Sequence, residues 1–307
     1  MRNGLSAPPN REIGFSGGPA RAGRPTRPTL AAMRLGYLTH VTGDDPARAY
    51  RETIELAIEA ERLGFDSFWV AQHHDGHLGG LLGSPLVLLG AIAQYTERMR
   101  LGTGVIALPL EDPLRLAEDA AVADALSGGR LELGIGAGAD ADASDRFGRD
   151  HDERHEDCLA ALDRLLELLP GDEPQSRIWW ATGRPETVDA AADRGVGLLS
   201  GRRGEAHPEV AGDLARYWTY CHGTPRVALS RPLIEDESST ETLVRWAEDP
   251  ALPWAGEIVV QAQPATAPTA RHREVLRRVA DEIAPRLEEP NGIRPGRERL
   301  SATRSAT

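Results

Sequence analysis

Lysine is absent from this chain: every one of its 35 basic residues is arginine. That removes Schiff-base chemistry and the phosphate-binding lysine of P-loop enzymes from the candidate functions. Cysteine is scarce. Cys158 and Cys221 stand far apart and make no disulfide framework. No apolar run reaches the roughly 18 residues of a membrane span, because glycine, His77 and Pro85 interrupt the best candidate. Positive charge is also short. Against 47 acidic residues it leaves a formal net charge of −12, which repels phosphate and argues against nucleic acid or anionic lipid as a partner. The Pro-, Gly- and Arg-rich segment Met1–Ala32 lacks the apolar core of a secretory signal. It reads as disordered, and a cytoplasmic location is the default expectation.

What is present is a globular composition, 40% hydrophobic and 27% charged over 307 residues, ample for a buried core. Short apolar runs alternate with helical patterns. The runs are Arg34–His40, Ser67–Gln72, Arg100–Leu108, Arg130–Gly138, Ile178–Thr182, Val196–Gly201, Arg226–Leu233 and Glu257–Ala262. Between them, Asp44-Asp45-Pro46 caps a helix over Ala47–Leu63, and others are expected near Pro85–Thr96, Pro113–Leu126, Pro185–Arg194 and Glu241–Glu248. A polar loop, Ala139–Asp150, precedes a helix with leucines at helical spacing, and the last helix covers Ala270–Leu287. Eight strands alternating with helices predict a closed (β/α)8 TIM barrel, with an open doubly wound sheet as the fallback. One folded domain is expected over 33–288, between disordered tails 1–32 and 289–307.

In such a barrel chemistry sits where the strands end. The second strand ends in Gln72-His73-His74. Alternation turns only one of two neighbouring histidines into the mouth. An imidazole there can move a proton; it can equally hydrogen-bond a loop and do no chemistry. Metal readings are weak. His73, His74 and His77 lack a companion carboxylate or cysteine, and His151-Asp-Glu-Arg-His155 has Asp152 where a zincin has glutamate. Gly134-Ile-Gly136-Ala-Gly138 comes after a strand but opens no helix, so it is not a dinucleotide fingerprint; its glycines permit close approach of a flat ligand or a phosphate. Thr182-Gly-Arg-Pro-Glu-Thr187, leading into a helix, makes either a phosphate cradle or a plain capped turn.

Together these residues resemble the bacterial luciferase-like flavin monooxygenase family. The marks are AERLGFDSFWVAQHH, RLGTGVIALPLEDPLRLAEDAAVADALSGGRLELGIGAG, Phe147-Gly148 with Arg154, and WWATGRPETVDAAADRGVGLL. The resemblance implies a barrel binding FMN, or in sister branches a deazaflavin coenzyme, at the strands' C-terminal face. It makes His73 the histidine that assists chemistry at the reduced flavin, with His74 as its neighbour. It places a non-prolyl cis peptide at Gly104-Val105 and an acidic position at Glu118. Ala137 and Gly138 are expected beside the phosphate, which Thr182, Gly183, Arg184 and Thr187 hold. The implied activity is oxygenation of a small organic substrate by reduced FMN and O2, with a separate flavin reductase and a homodimer as partners. Deazaflavin-dependent hydride transfer is the alternative. A non-catalytic flavin-binding or dimer-partner protein is the third reading.

The chain departs from luciferase at several positions. Gln72 replaces the acid before the paired histidines, Ala137 replaces a phosphate-binding arginine, and Asp75 stands where an aromatic residue is common. The long lid insertion before the seventh strand is missing.

Overall fold

The computed structural model describes residues 33–288, except 75, 77, 78, 170, 172, 173, 182 and 201–207. Eight parallel strands close on themselves: β1 (Arg34–Thr39), β2 (Ser67–Val70), β3 (100–103 and 106–107), β4 (Leu131–Gly136), β5 (Ile178–Ala181), β6 (Gly197–Ser200), β7 (Val227–Leu233) and β8 (Glu257–Ala262). Each strand pairs with the next, β8 pairs with β1, and β3 pairs with β4, so the ring is closed. This is the expected (β/α)8 barrel.

Local chemistry sets the helices that cover it. The Asp45 carboxylate caps α1 (Pro46–Arg62) by accepting from the Ala47 and Arg48 amides, with proline in the first turn. Asp112 likewise caps α3 (Pro113–Leu126), accepting from the Arg115 amide; α3 lies beside α2 (Pro85–Ala93). Strand residues alternate between two cores. Tyr37, Phe68, Leu101, Leu133, Ile178 and Ile258 face the helices. Leu38, Trp69, Ala71, Trp179, Leu199 and Val259 form a separate cluster. Trp69 on β2 meets Trp179 on β5 edge to face at 5.9 Å. Those strands are not paired, so the contact crosses the inside of the barrel.

Beneath the two indoles the barrel is plugged by charge. Glu257, 2% exposed, accepts from the Ser67 hydroxyl and pairs with Arg34 at 3.2 Å. Burial drives its carboxyl pKa upward, against the pull of Arg34. The Trp69 indole N–H donates to Ser67 at 2.7 Å, and the Trp179 indole N–H donates to Glu132 at 2.6 Å. Glu132 also pairs with Arg100, and the Arg226 guanidinium lies over Trp179 at 4.8 Å. Buried carboxylates are tolerable because each is paired and hydrogen-bonded.

Three expectations change. The third strand does not run unbroken from Arg100 to Leu108: it stops at Thr103, resumes at 106–107 and passes into a 3-10 turn, Leu108–Leu110. The resumed part pairs with β4 through Ile106 and Ala107, and the Ala107 amide donates to the Gln72 side chain at 2.8 Å. The polar loop after β4 contains a helix, α4 (Ala141–Arg146), capped by Asp140, before α5 (Arg154–Leu168). The last helix, α9 (Thr269–Arg278), passes through a π segment at Val279–Ile283 into α10 (Ala284–Glu288). Between α5 and α9 lie α6 (Pro185–Arg194), α7 (Pro208–Tyr220) and α8 (Ser239–Ala247). The tails expected to be disordered, 1–32 and 289–307, fall outside the described residues.

Candidate active site

Three neighbouring strands, β2, β1 and β8, carry one polar layer at their C-terminal ends. Parity places His73 inward with Trp69 and Ala71, His40 inward with Leu38, and Gln261 inward with Val259. The His40 Nδ1 and His73 Nε2 atoms are 2.8 Å apart, and their rings stack with centroids 5.1 Å apart. On its other side, His40 Nε2 lies 3.4 Å from Gln261 Oε1. The backbone is bent to make this possible. Val41, buried and β-branched, has φ +52°, a left-handed conformation that costs such a residue about 1–3 kcal/mol and is tolerated mainly at functional sites.

The loop after β2 is tied to the loop after β1. Thr42 bridges to Gly80, and the Leu81 amide donates to the Val41 carbonyl at 3.0 Å. The Gly80 backbone rests on the His73 ring so closely that a Cβ there would lie 2.3 Å from His73 Cδ2. His74 turns away from the pair, to Phe147, with ring centroids 4.8 Å apart. Its Nε2 is buried without a hydrogen-bond partner, an unmet polar atom of the kind that a ligand satisfies. Gln72 donates to Glu111 at 2.8 Å.

Across the barrel, the ends of β4 and β5 gather positive charge. His155, on the first turn of α5, is held below the ordinary imidazole pKa by burial and then by Arg154, Arg184 and His151. Those groups therefore share one field. Arg184 precedes α6 and pairs with Glu186 of its first turn at 3.6 Å; among the described residues no side chain caps that helix, and Thr187 lies half-buried in its first turn. Gly183 comes just before, and Thr182 lies outside the described residues. An uncapped helix start beside two arginines suits an anion. The His151 Nδ1 atom is 3.0 Å from the Ser144 hydroxyl.

The other expected residues divide. A cis peptide joins Gly104 to Val105, and the Val105 side chain packs against the interior cluster. Ala137 packs on the helix-side core, while Gly138 (φ +76°) turns the chain after β4. Glu118 is not brought to either group: it stands on the exposed face of α3, paired with Arg115 at 3.3 Å. The glycines of β4 serve the protein itself. A Cβ on Gly134 would lie 1.9 Å from the Thr103 carbonyl oxygen, and one on Gly136 would lie 3.0 Å from Val105. His40 and Gln261 were not identified as site residues from sequence. The available signal was parity: each stands two residues beyond an inward apolar residue, on β1 beside the His73 sector or on β8 next to it.

The residues fit a phosphate-bearing flat cofactor. Two local features carry that fit: two arginines and two histidines gathered at a helix start on one side of the mouth, and an orphaned buried imidazole nitrogen with a histidine pair on the other. The family model described as luciferase-like monooxygenase matches residues 33–293. Over 182 residues the chain is 33% identical to 4-hydroxyprotoasukamycin monooxygenase of Streptomyces nodosus subsp. asukaensis, covering 54% of this chain and 49% of that protein. Over 148 residues it is 34% identical to the oxygenase component of flavin-dependent trigonelline monooxygenase of Acinetobacter baylyi, covering 46% and 39%. The chain thus spans about half or less of the length of these curated relatives. Among solved structures, monooxygenase RslO1 of Streptomyces bottropensis superimposes with a TM-score of 0.69 at 21% identity, covering 82% of this chain and 99% of that one. An F420-dependent secondary alcohol dehydrogenase does so at 0.58 and 16% identity, covering 80% and 99%. These two likenesses concern the fold.

Proposed function

The chain belongs to the luciferase-like monooxygenase family, and from that premise we propose that it uses reduced FMN and O2 to oxygenate a small organic substrate. The observation that carries the reading is the pairing, on one barrel rim, of a histidine dyad with an arginine-rich helix start. Reduced FMN, when bound, supplies the electrons that activate O2. The chain's own residues do the rest. Arg184, Arg154 and the first turn of α6 hold the phosphate by charge and backbone amides. Leu38, Val105, Ala181 and Leu199 keep the wall beneath the mouth apolar, which excludes water and strengthens electrostatic interactions inside. His73 holds or moves a proton beside the reacting atoms.

The trigonelline relative is named as an oxygenase component, which supports delivery of reduced flavin by a separate reductase. Exposed Val87 on α2, with Leu114, Val122 and Leu126 on α3, supports a homodimer joined through these two helices. Deazaflavin-dependent hydride transfer remains the second reading, supported by the shared fold of the F420-dependent dehydrogenase. One experiment separates them. The purified chain is supplied with a flavin reductase, FMN and ¹⁸O₂ over a panel of small organic substrates. Labelled oxygen in a product, lost in His73→Ala, supports oxygenation. Substrate oxidation that requires the deazaflavin and carries no label refutes it. FMN binding with no product formed from any substrate, with either cofactor, would return the protein to a non-catalytic role.

A further inference from the structure

His74 is braced from behind yet unmet in front. Gln72 ties its own loop to the segment 107–111: its amide nitrogen donates to Glu111 at 2.8 Å and to the Gly83 carbonyl at 3.2 Å, and its oxygen accepts from the Ala107 amide at 2.8 Å. The His73 amide donates to the Leu82 carbonyl at 2.9 Å. With both preceding residues held, the buried Nε2 of His74 does not lack a partner through slack in the chain, and leaving such an atom unpaired is costly. The ring packed against it is that of Phe147, which is itself 47% exposed. Phe147 closes α4, and Gly138 and Gly148, both with left-handed backbone, flank that short helix. Gly83 stands on the Nδ1 side and offers no side chain; a Cβ added there would still be 3.8 Å from Nδ1.

We propose that His74 and Phe147 form the substrate subsite of the mouth, and that it takes a small aromatic molecule bearing a hydroxyl group. This names the substrate class of the oxygenase reading and rests on it. The hydroxyl supplies the partner that Nε2 lacks. A hydroxyl both donates and accepts, so it serves either tautomer of His74. The flat ring lies against Phe147, which swings outward between its two glycines as the ligand enters and keeps its face on it. Binding then satisfies a buried nitrogen and takes apolar surface of Phe147 out of water. His73 faces the barrel interior and His74 faces Phe147, so the polar end held at His74 is distinct from the atoms that react beside His73.

The deciding experiment titrates phenol and benzene into the full chain without cofactor. Affinities are read from the ligand signals by NMR, and the His74 ring is followed by ¹⁵N labelling at histidine, assigned by its loss in His74→Phe. Phenol is expected to bind about tenfold tighter than benzene, the worth of one net hydrogen bond, and to move the His74 Nε2 signal further. His74→Phe keeps a ring against Phe147 but has no nitrogen, so phenol and benzene should bind it alike. Phe147→Ala should weaken both ligands. Equal affinity for the two in the native chain, a phenol preference that survives His74→Phe, or binding of both unmoved by Phe147→Ala overturns the proposal and leaves the oxygenase reading standing. A phenol preference carried by His74, together with no labelled product from any substrate under ¹⁸O₂, refutes the oxygenase reading instead.

Discussion

Acid should unfold this protein through a histidine outside the His40–His73 pair. His272 on α9 is 7% exposed. Its Nδ1 accepts from the Tyr37 hydroxyl at 2.7 Å, while its Nε2–H donates to the Ala267 carbonyl at 3.1 Å. Burial lowers its pKa from 6.5 to about 4; the Ala267 bond opposes this, and charge on His40 adds to it. The folded chain therefore binds this proton less readily than the unfolded chain. Stability is complete above pH 6.5 and is lost as the pH falls toward about 4. At roughly 1.36 kcal/mol per pH unit the whole window is worth about 3.4 kcal/mol, and about 2–3 kcal/mol of it is gone by about pH 4.5.

The perturbation is His272→Gln, which keeps an N–H for Ala267 and an oxygen for the Tyr37 hydroxyl but cannot titrate. Urea unfolding of both proteins at about pH 7 and about pH 4.5 reads the difference. The wild-type chain should lose about 2–3 kcal/mol more than the variant between the two. Equal losses would refute the assignment, because the many surface carboxylates act alike in both proteins and cancel.

The same geometry yields other expected outcomes. Gly134→Ala drives a methyl into the Thr103 carbonyl, a backbone obstacle that cannot rotate aside. It should cost about 3 kcal/mol or more, seen as a fall in Tm of roughly 5–10 °C; an unchanged melt would contradict the close approach of β3 and β4. FMN binding should raise the pKa of His155, now held low by burial, Arg154, Arg184 and His151. Below about pH 6.5 binding should thus take up a proton, by calorimetry in paired buffers, and His155→Gln should abolish that uptake. Equal uptake in both would move the phosphate elsewhere. Val122→Asp, on the exposed face of α3, should turn a dimer into a monomer by light scattering, and an unchanged mass would exclude that face.

The barrel was legible because parallel strands buried on both sides leave short apolar runs, and because aspartate-proline pairs announce helix starts at Asp45-Pro46 and Asp112-Pro113. The paired histidines at the end of β2 were legible for the same reason: a strand had to end there. What escaped was set by contacts between distant segments. Nothing local to Arg100–Leu108 says that the strand will be interrupted at 104–105 between its pairings with the strands on either side, so the break in β3 was invisible. His40 looked like the last residue of a strand, since the Val41 turn that aims it is supported by the loop near Leu81. The glycines of β4 suggested room for a ligand, but the space they leave is filled by Thr103 and Val105.

The plugged lower end of the barrel has a consequence for traffic. With Trp69 and Trp179 meeting across the axis and charged pairs packed under them, the lower end of the barrel is closed. Anything that reaches the inward side chains of the strands must therefore come and go at the rim where His40 and His73 stand, and a substitution among the buried pairs below acts on the wall's stability rather than on a passage.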